Sequence, residues 1–210
     1  MRVYVPYDPI EPKTRLAPIL SAMEREDFSR AMLLDVCQSI TAVGHKPVVL
    51  ATRQMDIETE TRLSDAALTT AVNEVLDAIG PSANRPVGVV FADLGLVTPA
   101  SLSRLFEEDA DVVLAPGRRC GTNALVTRSG DFCVDYHGTS YLDHCDVARR
   151  NGLSLETVDS YRLGTDIDEP VDLLELFVHG EGTGRRYLTD RFELAADGVE
   201  LERVSEPVTN

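Results

Sequence analysis

Two cations follow the first predicted strand, Met1–Val5, and could bind a phosphate. Lys13 and Arg15 lie in a strand-exit segment of a chain whose only other lysine is Lys46. Arginine binds phosphate oxygens in a bidentate manner, whereas lysine binds them as a point charge. A solvated loop with incidental charges is the alternative. Residues 6–18 contain no glycine, so neither a P-loop nor a GxGxxG motif is present there.

Three aspartates have the positions expected of metal–phosphate ligands. Asp93 ends the apolar run Val87–Ala92, and Asp166 and Asp168 stand two residues apart, just before Pro170. In an extended segment, two carboxylates at this spacing point to one side and suit a hard divalent cation. A turn cap is the alternative for Asp93, and a helix N-cap is the alternative for Asp168.

Polar groups suited to an anion occupy two further segments. In APGRRCGTN, the glycines allow close approach of backbone N–H groups, and the polar side chains are those of Arg118, Thr122 and Asn123. In YHGTS, His137, Gly138 and Ser140 precede a predicted helix, whose N-terminus favours an anion. The alternatives are a flexible connection for the first segment and simple helix capping for the second.

Other catalytic chemistries find little support. The four histidines have no zinc-binding spacing, and the four cysteines form neither a CxxC pair nor a disulfide framework. No Ser-His-Asp arrangement can be argued from the spacing. Phosphate and metal chemistry is therefore the class that these residues favour.

Apolar runs that alternate with helical patterns must position these residues. They predict an α/β fold with a mixed, mostly parallel sheet covered on both faces, in which ligands bind beyond the carboxyl ends of the strands. After the first strand, the predicted strands are Pro47–Thr52, Val87–Ala92, Asp111–Ala115, Ala124–Thr127 and Leu155–Val158. Five helices are predicted: one after the Ser21/Glu24 capping box, one over residues 68–79, one after Thr98-Pro99, one over 140–150 and one over 171–178. Residues 53–63 and 116–123 are predicted as connections.

The domain prediction is one nucleotide-binding unit over residues 1–180. Residues 181–204 form an extension with a hairpin around Asp197-Gly198, and residues 205–210 a frayed tail.

Charge and hydropathy limit the partners and the compartment. The 210 residues carry a net charge of −15, which argues against a nucleic-acid or anionic membrane surface. An acidic, lysine-poor composition suggests a cytoplasm with molar salt, where repulsion between carboxylates is screened. No apolar run approaches 18 residues and the N-terminus lacks a signal-peptide pattern, so a cytoplasmic protein is expected.

Five motifs occur in an order that identifies a family: KTRL, FADL, APGRRCGTNAL, YHGTSYLDH and TDIDEPVDLLELFVHG. Over residues 1 to 180 the chain resembles the archaeal 2-phospho-L-lactate guanylyltransferases of coenzyme F-420 biosynthesis. Two loops depart from the family pattern: Gly95 replaces a proline, and Arg119 and Cys120 replace glycines.

The resemblance implies a three-layer GT-A-like nucleotide-diphospho-sugar transferase fold, a homodimer and Mg²⁺. It also implies that GTP and 2-phospho-L-lactate give lactyl-2-diphospho-5'-guanosine and pyrophosphate. Related bacterial enzymes use phosphoenolpyruvate; a molybdopterin-type nucleotidyltransferase and a noncatalytic nucleotide-binding module are further alternatives. By family match, the phosphate-binding lysine is Lys13, the metal ligands are the three aspartates, and the acid is bound by Thr122, His137 and Ser140.

Overall fold

A mixed sheet with helices on both faces forms the centre of the molecule. The computed structural model describes residues 1–196 and 198–204. Within them, seven strands form the main sheet, in the order β3-β2-β1-β4-β6-β5-β7. All neighbouring strands run parallel except β6, which is antiparallel to both β4 and β5. The strands are β1 (Arg2–Tyr7), β2 (Lys46–Ala51), β3 (Thr61–Leu63), β4 (Val87–Val90), β5 (Val112–Pro116), β6 (Thr122–Thr127) and β7 (Leu155–Thr157).

Local capping and apolar spacing set five of the helices where the sequence predicts them, whereas α5 and α7 are not predicted. The first helix begins after Ser21, whose side chain accepts a hydrogen bond from the N–H of Glu24 in a complete capping box. Thr98 caps the third helix in the same way, with Pro99 at its first position. The helices are α1 (Ala22–Ala42), α2 (Leu68–Ile79), α3 (Pro99–Glu107), α4 (Ser140–Arg150), α5 (Tyr161–Gly164), α6 (Pro170–His179) and α7 (Thr183–Thr189). No helix in the described part of the chain is long and apolar enough to span a membrane.

Successive side chains of each strand point to opposite faces of the sheet and contribute to two hydrophobic cores, one on each face. Val3 and Val5 of β1 pack toward α1 and α3, whereas Tyr4 packs toward α2 and α4. A third apolar cluster joins α1 to α6 and α7 through residues such as Phe28 and Leu176. These layers confirm the predicted three-layer α/β architecture.

Three predictions about connections are wrong. The polar connection 53–63 contains the short edge strand β3, which pairs with Val49–Ala51 and has a single apolar residue to signal it. The predicted loop 116–123 is shorter, because β6 begins at Thr122 and the first pair of the β5–β6 ladder is Pro116–Thr122. The predicted loop 6–18 is also shorter, because β1 continues to Tyr7, and the loop contains a 3-10 turn over Thr14–Leu16.

Residues after 180 pack on the first helix. The polar helix α7, which the sequence pattern does not predict, is held by the buried carboxylate of Asp35 in α1. That carboxylate accepts 2.7 Å hydrogen bonds from the N–H groups of Thr183 and Gly184. The segments on the two sides of the predicted hairpin turn form the antiparallel strands β8 (Phe192–Leu194) and β9 (Leu201–Arg203). The predicted frayed tail, 205–210, and Asp197 lie outside the described residues, and the division at residue 180 stays a prediction.

Candidate active site

A cavity of about 700 Å³ opens at the carboxyl ends of β1, β2 and β4. Its wall includes the strand-exit residues Tyr7, Thr52 and Phe91, together with the start of α2. Lys13, Arg15, Asp93 and Asp168 all line it, although they come from three separate segments of the sequence. The cavity therefore lies at the sheet edge where α/β proteins bind ligands.

Lys13 is held in an unusual backbone conformation at the floor of the cavity. It has a φ of 53°, in the left-handed region, and immediately precedes the 3-10 turn. Its side chain is only 9% exposed, and its ammonium donates to Asp93 Oδ2 at 2.8 Å and to Asp168 Oδ1 at 2.6 Å. Left-handed residues other than glycine cost about 1–3 kcal/mol and persist where the surroundings fix them. The two carboxylates supply that fixation.

The charges of Lys13 and Asp168 stabilise one another. Burial lowers the pKa of Lys13, but Asp93 and Asp168 outweigh that effect, so the net shift is upward. Burial likewise raises the pKa of Asp168, but Lys13 and Arg15 outweigh it and the net shift is downward. Both groups are therefore charged near neutral pH. Arg15 Nη1 lies 3.6 Å from Asp168 Oδ2, and its side chain is 61% exposed, so it is free to turn toward a ligand.

Asp93 and Asp166 supply the oxygen ligands that a hard cation would require. Asp93 Oδ1 is buried and has no hydrogen-bond partner, while the backbone oxygen of Asp93 accepts from the N–H of Ile167 at 3.0 Å. Burial and the nearby carboxylates of Asp93 and Asp168 raise the pKa of Asp166. An added cation would relieve both features, so these residues fit a metal ion. Among the described residues, however, no three acidic, histidine or cysteine side chains form a ready-made metal cluster, and Lys13 bridges Asp93 and Asp168 instead.

The arginines of the APGRRCGTN loop are paired with acids at the start of α6. Arg118 Nη2 lies 2.5 Å from Asp172 Oδ1, and Arg119 Nη2 lies 2.9 Å from Glu169 Oε2. The buried Asp172 also accepts from the N–H groups of Asp168 and Glu169, so Glu169, not Asp168, is the N-cap of α6. Arg118, predicted to bind substrate, thus ties this loop to α6. Sequence reasoning missed Asp172, although its place three residues after Glu169 is the spacing of a capping box.

Thr122 and Asn123 begin β6 and are buried. The Asn123 side chain donates to the backbone oxygen of Leu163 at 3.0 Å. A Cβ added at Gly117 would lie 2.5 Å from Asn123 Oδ1, so the loop passes directly over this amide. The predicted substrate ligand Asn123 therefore braces the loop and α5, while the N–H of Thr122 donates to Ser140 Oγ at 3.1 Å.

The segment before α4 lies next to the start of β6. Thr139 occupies the N-cap position without a side-chain capping bond, and the Ser140 hydroxyl is instead the acceptor for Thr122. A Cβ added at Gly138 would meet no atom within 4 Å. His137 is half exposed, with its Nε2 3.1 Å from Asp143 Oδ2. Four of the residues assigned to substrate binding by sequence thus lie near the start of β6: Thr122, His137, Gly138 and Ser140. None of them lines the cavity around Lys13.

Comparison with known proteins shows the family. The family model described as "Guanylyl transferase CofC like" matches residues 1–205, which is beyond the last motif of the sequence. A 2-phospho-L-lactate guanylyltransferase of Haloferax volcanii is 51% identical over 205 residues, covering 98% of this chain and 95% of that protein. The protein of that name in Haloterrigena turkmenica is 48% identical over 225 residues, covering 100% and 96%.

Solved structures of distant sequence share the fold. A protein described as a nucleotide-diphospho-sugar transferase from Desulfovibrio desulfuricans G20 superposes with a TM-score of 0.73 at 13% identity, over 90% of this chain and 94% of that one. A nucleotidyl transferase from Methanothermobacter gives 0.59 at 14% identity, over 85% and 96%. The predicted nucleotide-diphospho-sugar transferase fold is therefore confirmed.

Proposed function

This chain belongs to the family described as Guanylyl transferase CofC like, and from that premise we propose that it joins GTP to 2-phospho-L-lactate. The products are lactyl-2-diphospho-5'-guanosine and pyrophosphate, in a step of coenzyme F-420 biosynthesis. The observation that carries the proposal is Lys13, a buried cation held between Asp93 and Asp168 at the floor of a cavity large enough for a nucleotide.

Charge neutralisation is the main task of such a site. A phosphate oxygen of the acid forms a new bond to the α-phosphorus of GTP, while the bond from that phosphorus to the β-phosphate bridging oxygen breaks. Pyrophosphate leaves with the bond's electron pair. The attacking oxygen is already ionised near neutral pH, so no general base is needed, and positioning and electrostatics dominate the catalysis. Lys13 and Arg15 are placed to bind the triphosphate oxygens.

We include Mg²⁺ in the proposal, with Asp93, Asp166 and Asp168 as its ligands. When bound, the ion would neutralise charge on the phosphate oxygens that react. The unpartnered Asp93 Oδ1 and the raised pKa of Asp166 support this assignment. On the family resemblance we also propose a cytoplasmic homodimer, which sedimentation equilibrium in molar KCl would test.

The acceptor acid belongs beside β6. Thr122 and Ser140 are buried side chains that offer hydroxyl groups there, and the neighbouring His137 is half exposed. The N–H of Phe91, two residues before Asp93, donates to the backbone oxygen of Asn123 at 3.0 Å. The two halves of the proposed site are therefore joined directly by the β4–β6 ladder.

Pyrophosphate release in molar KCl with Mg²⁺ tests the proposal. GTP should support turnover with 2-phospho-L-lactate. Phosphoenolpyruvate and molybdopterin are tested as alternative acceptors, and ATP and CTP as alternative nucleotides, and each should support less turnover. Asp93→Asn should lower kcat by about 100-fold or more, because a carboxylate ligand of the proposed metal ion is lost. Asp77→Asn, at an exposed position of α2, is the matched control and should stay within about twofold of wild type. Nucleotide binding without turnover of any acceptor would identify a noncatalytic module and refute the proposal.

A further inference from the structure

A buried histidine connects a backbone donor to the Thr122 hydroxyl. His144 of α4 has no exposed surface, and its Nε2 lies 2.9 Å from the N–H of Asp135. Its Nδ1 lies 2.8 Å from Thr122 Oγ1. The rings of Phe132 and Tyr136 pack against the imidazole edge-on, at centroid distances of 5.9 and 5.2 Å, so its orientation is fixed.

The chemistry of these partners determines where the imidazole carries its proton. A backbone N–H can only donate, so Nε2 of His144 must present its lone pair to Asp135. Burial lowers the pKa of His144 to about 4, which keeps the ring neutral at pH 7. A neutral ring has one proton, and that proton must then be on Nδ1. His144 therefore donates to Thr122 Oγ1.

The direction of each hydrogen bond determines what the hydroxyl groups of Thr122 and Ser140 can donate to. Because Thr122 Oγ1 accepts from His144, its own proton is available for another partner. Ser140 Oγ accepts from the N–H of Thr122, so its proton is available in the same way. Two neighbouring hydroxyls are thus both set to donate, which is the arrangement that an anionic phosphate or carboxylate requires.

We propose that His144 is a positioning residue that fixes the Thr122 hydroxyl as a hydrogen-bond donor to the phosphorylated acid. This inference rests on the proposed function, because it takes the residues beside β6 to be the acceptor site. Without the Nδ1–H donor, nothing fixes the direction of the Thr122 hydroxyl proton, and the hydroxyl can present a lone pair to the incoming anion. The acceptor acid should then bind more weakly, while GTP, bound around Lys13, should not be affected.

Two conservative variants separate the two nitrogens. In His144→Asn the amide nitrogen takes the place of Nδ1 and still donates to Thr122, but the partner of Asp135 is lost. In His144→Gln the amide oxygen takes the place of Nε2 and still accepts from Asp135, but the donor to Thr122 is lost. We expect His144→Gln to raise the KM for 2-phospho-L-lactate about tenfold or more, and His144→Asn to raise it less than about threefold. The KM for GTP should be unchanged in both.

A double-mutant cycle shows whether His144 acts through Thr122. In a Thr122→Val background there is no hydroxyl to orient, so adding His144→Gln should leave the KM for the acid where Thr122→Val alone puts it. Thermal midpoints are measured for every variant, because a purely structural histidine would lower the midpoint in both backgrounds without separating the two substrates. His45→Gln, in the connection between α1 and β2 where His45 packs against Phe106, is the control and should change neither KM.

The outcomes are distinct. Equal effects of the Asn and Gln variants, a change in the KM for GTP of similar size, or an additive double mutant would each overturn the role of His144. If the wild type turns over GTP and 2-phospho-L-lactate but His144→Gln does not raise the KM for the acid more than His144→Asn does, only the inference about His144 is overturned. Wild-type protein that releases no pyrophosphate overturns the proposed function and this inference with it.

Discussion

Replacing Lys13 by methionine removes the cation that Asp93 and Asp168 share while keeping the length of the side chain. The ammonium contacts these carboxylates at 2.8 and 2.6 Å, and the side chains of Asp93 and Asp168 are 24% and 32% exposed. In Lys13→Met they would face each other with only the exposed Arg15, 3.6 Å from Asp168, to offset their charge. The free energy of unfolding and the turnover should therefore both fall.

The size of each loss follows from the burial of the pair. Removing one partner of a buried ion pair costs about 3–5 kcal/mol, and the partial exposure of the two aspartates places this case near 3 kcal/mol. Removing one donor that stabilises transition-state charge lowers kcat by about 10²–10³. Lys46→Met is the matched control, because Lys46 is 57% exposed and pairs with the exposed Glu60. A surface pair of that kind contributes about 0–1 kcal/mol, so this variant should keep its turnover.

Urea unfolding and pyrophosphate release in molar KCl measure the two effects. The stability difference between wild type and Lys13→Met should shrink as the pH falls below 3.8, because the folded-state pKa of Asp168 is lowered and its stabilisation disappears on protonation. The reasoning is wrong if Lys13→Met and Lys46→Met differ by less than tenfold in kcat. A stability loss no larger than that of Lys46→Met would show that the pair is solvated rather than buried.

Three further predictions concern strain, pH and salt. Cys120 has a φ of 64°, so Cys120→Gly should raise the free energy of unfolding by about 1 kcal/mol, whereas Arg119→Gly, which loses the Glu169 pair, should not; chemical denaturation compares them. Because the folded-state pKa of His144 is about 4 and the unfolded value 6.5, the unfolded chain is protonated first as the pH falls. Wild type should lose about 2 kcal/mol more than His144→Gln between pH 7 and pH 5, and equal losses would contradict the burial of a neutral ring. With a net charge of −15, the thermal midpoint should rise between 0.1 M and molar KCl, and a flat or falling midpoint would disprove halophilic adaptation.

Local signals explain why most of the fold could be predicted from the sequence. The capping box at Ser21, the Thr98-Pro99 start and the apolar run of β4 each act within a few residues, and each lies where the pattern places it. The strand β3 and the helix α7 depend instead on distant partners. Helix α7 begins where the carboxylate of Asp35, 148 residues earlier, accepts a hydrogen bond from the N–H of Thr183. No local pattern can reveal such a contact.

The same distinction holds for the candidate site. Lys13 and Asp93 follow β1 and β4, so the rule that strand ends meet at one edge of the sheet predicts that they lie close together. Asp168 lies instead between α5 and α6, and the structure brings all three together. The partners of Arg118 and Asn123 could not be predicted in this way, because Asp172 and Leu163 lie 54 and 40 residues further along the chain. Both residue types suit an anion, and substrate binding by them stays a prediction; in this structure their contacts also hold neighbouring loops together.

The reversed direction of β6 joins the two halves of the site. A parallel strand brings only its last residues to the carboxyl edge, whereas an antiparallel strand brings its first ones. Thr122, the first residue of β6, therefore lies at the same edge as Asp93, which follows β4. The turn between β5 and β6 brings Arg118 to Asp172 at the start of α6.

The charges gathered at that edge decide what the site still needs. Among the described residues, the four cations Lys13, Arg15, Arg118 and Arg119 contact or face the five acids Asp93, Asp166, Asp168, Glu169 and Asp172. A triphosphate and a phosphorylated acid would add several more negative charges to a group that is already slightly negative. Either the arginines must leave their acids for the phosphates, or a further cation must enter with the nucleotide. The unpartnered oxygen of Asp93 favours the second course, and for this reason the proposed reaction includes Mg²⁺.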